Sequence, residues 1–156
     1  MFGIDLAGTQ DALRAAACRT SALVRTVAEP ATPVPNLTWT VAETAAHLVT
    51  SLRHYTGVVT GDVDVRDYLG LAPDDATPGE RGGIANARLL QEFTERDLGR
   101  LADMLVVAAD GFISVGGQRP PDEPILTFNG LPMTVPIMTS AMLGELLIHG
   151  LDIARA

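Results

Sequence analysis

Between Thr9 and Ala28 apolar residues return at helical spacing. Leu13, Ala16, Ala17, Leu23, Val24 and Val27 share one face, and Thr9 stands at the cap position. The three prolines of "EPATPVPNLTW" end this helix and start a loop. "TVAE" then gives a capping box, with Thr40 at the N-cap and Glu43 three residues on. The second helix is predicted to run to Tyr55 and stop before Gly57, burying Val41, Ala45, Leu48, Val49 and Leu52. Residues 57 to 82 are rich in Gly, Asp and Pro and read as a long connection with one short helix near Val65 to Leu71. Leu89, Leu90, Phe93, Leu98, Leu101, Leu105 and Phe112 predict a continuous third helix from Ile84 to Ile113.

In "ILTFNGLPMTV", Asn129-Gly130 between alternating apolar residues predicts a two-residue hairpin. Phe128 would then face Leu131, and Leu126 would face Met133, with the apolar side chains on one face. Pro132 lacks a donor and makes this an edge ribbon. Pro136 suits the first turn of a last helix. Four helices and one small hairpin before the last of them predict an all-α four-helix bundle, a single domain over residues 1–156.

The last helix, ending "MLGELLIHGLDIARA", carries a polar stripe. Glu145, His149 and Asp152 fall within about 60° of arc. Their face is completed by Met138, Ala141, Met142 and Ala156, and the far face is also apolar, through Leu143, Leu147 and Gly150. Such a helix has no ordinary wet side. Either the stripe lines a site, or the far face packs on something beyond this chain. Glu and His four residues apart can share one metal ion, but they can equally form a simple helical pair. A third donor is needed. His47 sits with Glu43, Thr44, Thr50, Ser51 and His54 on a side that periodicity alone assigns to solvent.

Composition narrows the classes. The chain has 156 residues, 47% of them hydrophobic, which predicts a packed core. Its net charge of −8 and lack of a basic patch argue against nucleic acid and anionic membranes as partners. No apolar run looks long enough to span a bilayer, because Pro136 and Glu145 interrupt the best candidate. The lone Cys18 forbids an internal disulfide and fits a cytoplasmic setting, where it is expected to be a buried, inert thiol.

Two motifs carry a resemblance. "LTWTVAETAAHL" (37 to 48) resembles the tryptophan, capping residue and histidine signature of the DinB-like, mycothiol-dependent maleylpyruvate isomerase family. "GELLIHGLDIARA" (144 to 156) resembles that family's second signature, a glutamate followed four residues later by histidine-glycine-x-aspartate. The hairpin before the last helix matches as well. The resemblance spans nearly the whole chain.

That resemblance implies a DinB/YfiT-like bundle with one divalent metal held by His47, Glu145 and His149. Zinc suits two nitrogens and a carboxylate best, with nickel, iron or manganese as substitutes. It also implies mycothiol, a small bacterial thiol, as co-substrate, activated as its thiolate against an electrophilic small molecule. Asp152 is expected to support a ligand or a neighbouring arginine. Ser51, Met142 and His54 are candidates for the cleft lining, although His54 is expected to be a partly exposed structural histidine. Trp39 is expected to staple the start of the second helix and not to serve as a substrate platform. The family's usual second domain is not expected within these 156 residues. The competing expectation is therefore a non-catalytic bundle that binds metal or forms a homodimer.

Overall fold

The computed structural model describes residues 4–156. The elements run α1 (Leu6–Thr26), α2 (Val41–Thr60), α3 (Arg66–Leu69), α4 (Pro78–Glu92), α5 (Leu98–Gly116), β1 (Ile125–Leu126), β2 (Pro132–Met133) and α6 (Val135–Ala154). The long helices α1, α2, α5 and α6 form the bundle: α1 packs on α5 and α6, and α2 packs on the same two. Leu13, Leu48, Leu52, Leu101, Leu105, Phe112, Met138 and Leu146 fill the centre with essentially no exposure. The expected all-α bundle with a small hairpin is what the chain forms. A fifth helix, α4, leans on α2 from outside.

Helix ends follow local chemistry. Asp5, not Thr9, caps α1 by accepting from the Gly8 amide. The capping box at Thr40 and Glu43 forms as expected, with Glu43 Oε2 accepting from the Thr40 amide at 2.8 Å. However, α2 runs on through Gly57 and ends at Gly61, whose φ of 83° gives a left-handed C-cap. Two threads tie α1 into place: Ser21 Oγ donates to the Ala102 carbonyl of α5 at 2.8 Å, and Gly150 of α6 lets α1 approach. A Cβ there would sit 3.1 Å from Thr20 Oγ1.

Four sequence expectations are corrected. The single third helix is two helices, α4 and α5, separated by residues 93 to 97. Asp97 starts α5 by accepting from the Arg100 amide, and Glu95 ties the break by accepting from the amides of Arg96 and Asp97. The stretch from Thr77 is not loop. Thr77 and Glu80 form a second capping box, with Pro78 in the first turn of α4. The hairpin register is shifted by one residue, pairing Ile125 with Met133 and Leu126 with Pro132. Asn129 keeps negative φ, so the mirror-image turn does not form; Gly130 alone is left-handed, at 82°, and its amide bonds the Thr127 carbonyl at 2.9 Å. That is a three-residue loop with a bulge, set by the Asn129 carboxamide accepting from the Leu131 amide. The slip leaves Leu126 and Leu131 exposed and drops Phe128 into the core. Finally, Cys18 is exposed, not buried.

By length and composition α6 would pass for a membrane span, with mean hydropathy 1.3. In this fold it is the fourth bundle helix, packed on α1 and α2. Its outer side leaves Ile137, Leu147, Ile148 and Leu151 exposed.

Candidate metal centre

The centre is built where α2 and α6 meet. The Thr40–Glu43 box fixes the start of α2, and His47 lies two turns inward. This helix has no wet side at His47. The imidazole is 2% exposed, and Thr44, Thr50, Ser51 and His54 around it are buried too. The expectation of a solvated face is therefore overturned. The polar side of α2 is turned inward, and its hydroxyls are satisfied locally. Thr44 Oγ1 donates to the Thr40 carbonyl, and Thr50 Oγ1 donates to the His47 carbonyl.

Glu145 and His149, one turn apart on α6, meet this imidazole. His47 Nε2 lies 3.1 Å from Glu145 Oε2, and His149 Nε2 lies 3.3 Å from the same oxygen. One donor atom from each of the three falls within 4.8 Å of the others. Donors about 2 Å from a shared tetrahedral ion stand about 3.3 Å apart, so the array needs little adjustment to hold one. The distal ring nitrogens are also held. His149 Nδ1 lies 3.1 Å from Asp152 Oδ2, and His47 Nδ1 lies 3.4 Å from Ser51 Oγ. Each partner can fix the tautomer that frees Nε2 for a ligand.

Electrostatics match this arrangement. Hydrogen bonds from His149 and then His47 hold the Glu145 carboxyl at a pKa of about 2, against the penalty of burial. Burial depresses the His149 imidazole, but the hydrogen bonds and charges of Glu145 and Asp152 outweigh it and raise its pKa. Trp39 packs against the centre itself, its ring 4.8 Å from that of His47 and 6.1 Å from that of His149. Trp39, just before α2, thus packs on rings of both α2 and α6.

A cleft of about 360 Å³ opens beside His47 and Glu145. Ser51 and Met142 line it as expected, together with Tyr55, Phe128 and Asn129. Burial and the Glu145 charge push the Tyr55 phenol up to about 12, so it stays a neutral donor. His54 does not line this cleft. It is buried behind Phe128, in edge contact with that ring and with Tyr68, and borders a separate cavity next to Arg53 and Phe93. Its Nε2 is buried without a hydrogen-bond partner, and burial lowers its pKa to about 4. The expected partly exposed His54 is thus corrected.

Sequence reasoning missed the opposite wall of the cleft, formed by Gly79, Gly82, Gly83 and Asn86 of α4. The Thr77-Pro-Gly-Glu80 capping box was the signal that could have revealed it.

One family model, mycothiol maleylpyruvate isomerase N-terminal domain, matches residues 13–154. The chain belongs to that family. No curated protein and no solved structure shows a significant match to it.

Proposed function

We propose that this member of the family binds one divalent metal through His47, Glu145 and His149 and uses it to activate mycothiol, as an isomerase or a thiol transferase. The observation that carries this reading is the convergence of two imidazole nitrogens and one carboxylate oxygen from α2 and α6, with His47 and Glu145 98 positions apart in sequence. Three protein donors leave a position open, which is the pattern of a reactive site and not a structural one. When bound, the metal supplies Lewis acidity that favours the thiolate, the nucleophilic form of a thiol.

The chain's own residues do the rest. Asp152 and Ser51 orient the two imidazoles through their Nδ1 atoms. Trp39 keeps water from one side of the rings. Tyr55 and Ser51 offer hydroxyl donors to a substrate in the cleft. In the namesake reaction of the family, a thiolate adds to the double bond of maleylpyruvate. Rotation about the resulting single bond and expulsion of the thiolate give fumarylpyruvate, so the thiol is regenerated. A transferase would keep the new carbon–sulfur bond. Zinc fits the donor set best, and nickel, iron or manganese suit it too.

A second reading, a non-catalytic metal-binding or dimerising bundle, draws support from the exposed Ile137, Leu147, Ile148 and Leu151 of α6. Two measurements separate the readings. Metal analysis of the purified protein should give about one equivalent in the wild type and none in His149→Ala. Thiol conjugation assayed with and without mycothiol should then show turnover only with it. Metal in the absence of any turnover favours the module, and no metal in either protein removes the metal-dependent reading and leaves only a bundle.

A further inference from the structure

The α4 wall of the cleft is held differently from the bundle. Each of the four bundle helices buries six or more of its residues. Among the described residues, α4 buries Ala85 alone. Its 15 residues include Gly79, Gly82 and Gly83, and glycine is among the poorest helix formers. A Cβ at any of these three would meet nothing within 4 Å, so packing does not require them. A helix this short is marginal by itself in water. Packing and propensity together therefore hold α4 only weakly.

Arg81 supplies the rest. Its Nε donates to the Ala76 carbonyl at 3.1 Å and Nη1 to that of Leu69 at 3.3 Å, while Nη2 donates to those of Pro73 and Asp74 at 3.1 and 2.8 Å. A guanidinium carries its N–H groups in a rigid fork, so this one side chain gathers the 69–76 connection onto α4. The stem of the same arginine supports the hairpin. A Cβ on Gly130, whose φ is 82°, would lie 3.6 Å from Arg81 Cδ and 3.7 Å from Leu69 Cδ2. Gly79, Gly82, Gly83 and Asn86 of α4 line the cleft on one side of this contact, and Phe128 and Asn129 of the hairpin loop on the other. Arg81 thus sits at the seam between two walls of the cleft that also holds His47 and Glu145.

We propose that Arg81 is the positioning residue of this cleft. It clamps α4 and the 69–76 connection into one flap against the hairpin turn, and the flap opens as a unit, admitting small molecules to His47 and Glu145. Such opening breaks few buried apolar contacts and leaves the four-helix bundle intact. The clamp stands on bonds within this chain, whereas an ion beneath it rests on the functional reading above, so the test runs first without metal.

Hydrogen exchange read by mass spectrometry is compared in metal-free wild type, Arg81→Ala, Arg81→Lys and the double variant Gly82→Ala, Gly83→Ala. In the wild type, α4 amides should exchange at least about a hundredfold faster than those in the buried turns of α2 and α5. Arg81→Ala should speed α4 and the connection about tenfold further and leave α5 unchanged. Arg81→Lys should do the same, because one ammonium cannot reach four carbonyls. The glycine variant should slow α4 at least about tenfold, since alanine favours helix. With zinc loaded, excess chelator should extract the metal about tenfold faster from Arg81→Ala and more slowly from the glycine variant, at unchanged equilibrium affinity. An arginine that merely stabilises the fold would move the melting temperature and not this rate. Protection of α4 equal to that of α5, wild-type exchange in Arg81→Ala or Arg81→Lys, loss of the whole fold in Arg81→Ala, or one extraction rate in all variants overturns the proposal. Failure of zinc to bind overturns the metal reading alone, since exchange in metal-free protein still reports the clamp.

Discussion

Nε2 of His47 and Oε2 of Glu145 lie 3.1 Å apart although 98 residues separate them. That contact joins α2 to α6 at the point where His149 also arrives. Replacing the carboxylate with its amide keeps the shape and removes the charge. Glu145→Gln is expected to lower zinc affinity by about 100-fold or more while the helical circular dichroism stays unchanged. A chelator-competition titration checks this. Wild-type affinity in the variant would remove Glu145 from the ligand set.

Metal binding to the folded state alone must raise stability. Free zinc at 100 times its dissociation constant should add about 2.7 kcal/mol. For a chain of this size that corresponds to a rise in melting temperature of roughly 5–10 °C. The double variant His47→Ala, His149→Ala should show no such rise. An equal rise in the variant would place the ion elsewhere.

Asp152 Oδ2 lies 3.1 Å from Nδ1 of the His149 ring, and on the proposed reading it supports that ligand. Asp152→Asn still accepts a hydrogen bond but no longer favours the charged partner. A loss of 10–100-fold in zinc affinity is expected, with stoichiometry unchanged, read in the same chelator competition. An unchanged constant would reduce Asp152 to a helix-end charge.

His54 should make the fold sensitive to acid. Its pKa is lowered by burial from an ordinary 6.5 to about 4. The unfolded chain takes up the proton near 6.5, while the folded chain resists until about 4. The folded state therefore loses stability as pH falls across that window, and above it the contribution is fully present. The loss should approach roughly 3 kcal/mol at the acid end. In His54→Phe, which keeps the aromatic contacts with Tyr68 and Phe128, that part of the slope should vanish. Urea unfolding at several pH values between 7 and 4 measures the difference. Parallel slopes in the two proteins would count against a neutral buried imidazole.

The legible parts of this chain were those with local signals. The box at Thr40 and Glu43 and the proline at 136 mark helix starts that neighbouring side chains create on their own. The stripe of Glu145, His149 and Asp152 was visible because α6 is otherwise apolar. His47 was not legible from periodicity, because α2 buries residues on almost every side and leaves no contrast between faces. The break before Asp97 was masked by apolar residues that keep helical spacing across it, although Asp97 itself is an ordinary N-cap. The hairpin slipped by one residue because Asn129 used its side chain to build the turn and not a left-handed backbone. The α4 wall, with Asn86, went unseen because glycine-rich sequence was read as loop.

The separation of the donors also orders events in the cell. A chain grows from its N-terminus, so α1, α2 and α5 leave the ribosome before α6 exists. Until then α1 and α2 lack one of the two helices they pack against, and His47 has no carboxylate to meet. On the proposed metal reading, loading of an ion thus waits until α6 has been made, and a nascent polypeptide stalled before residue 145 would carry no metal.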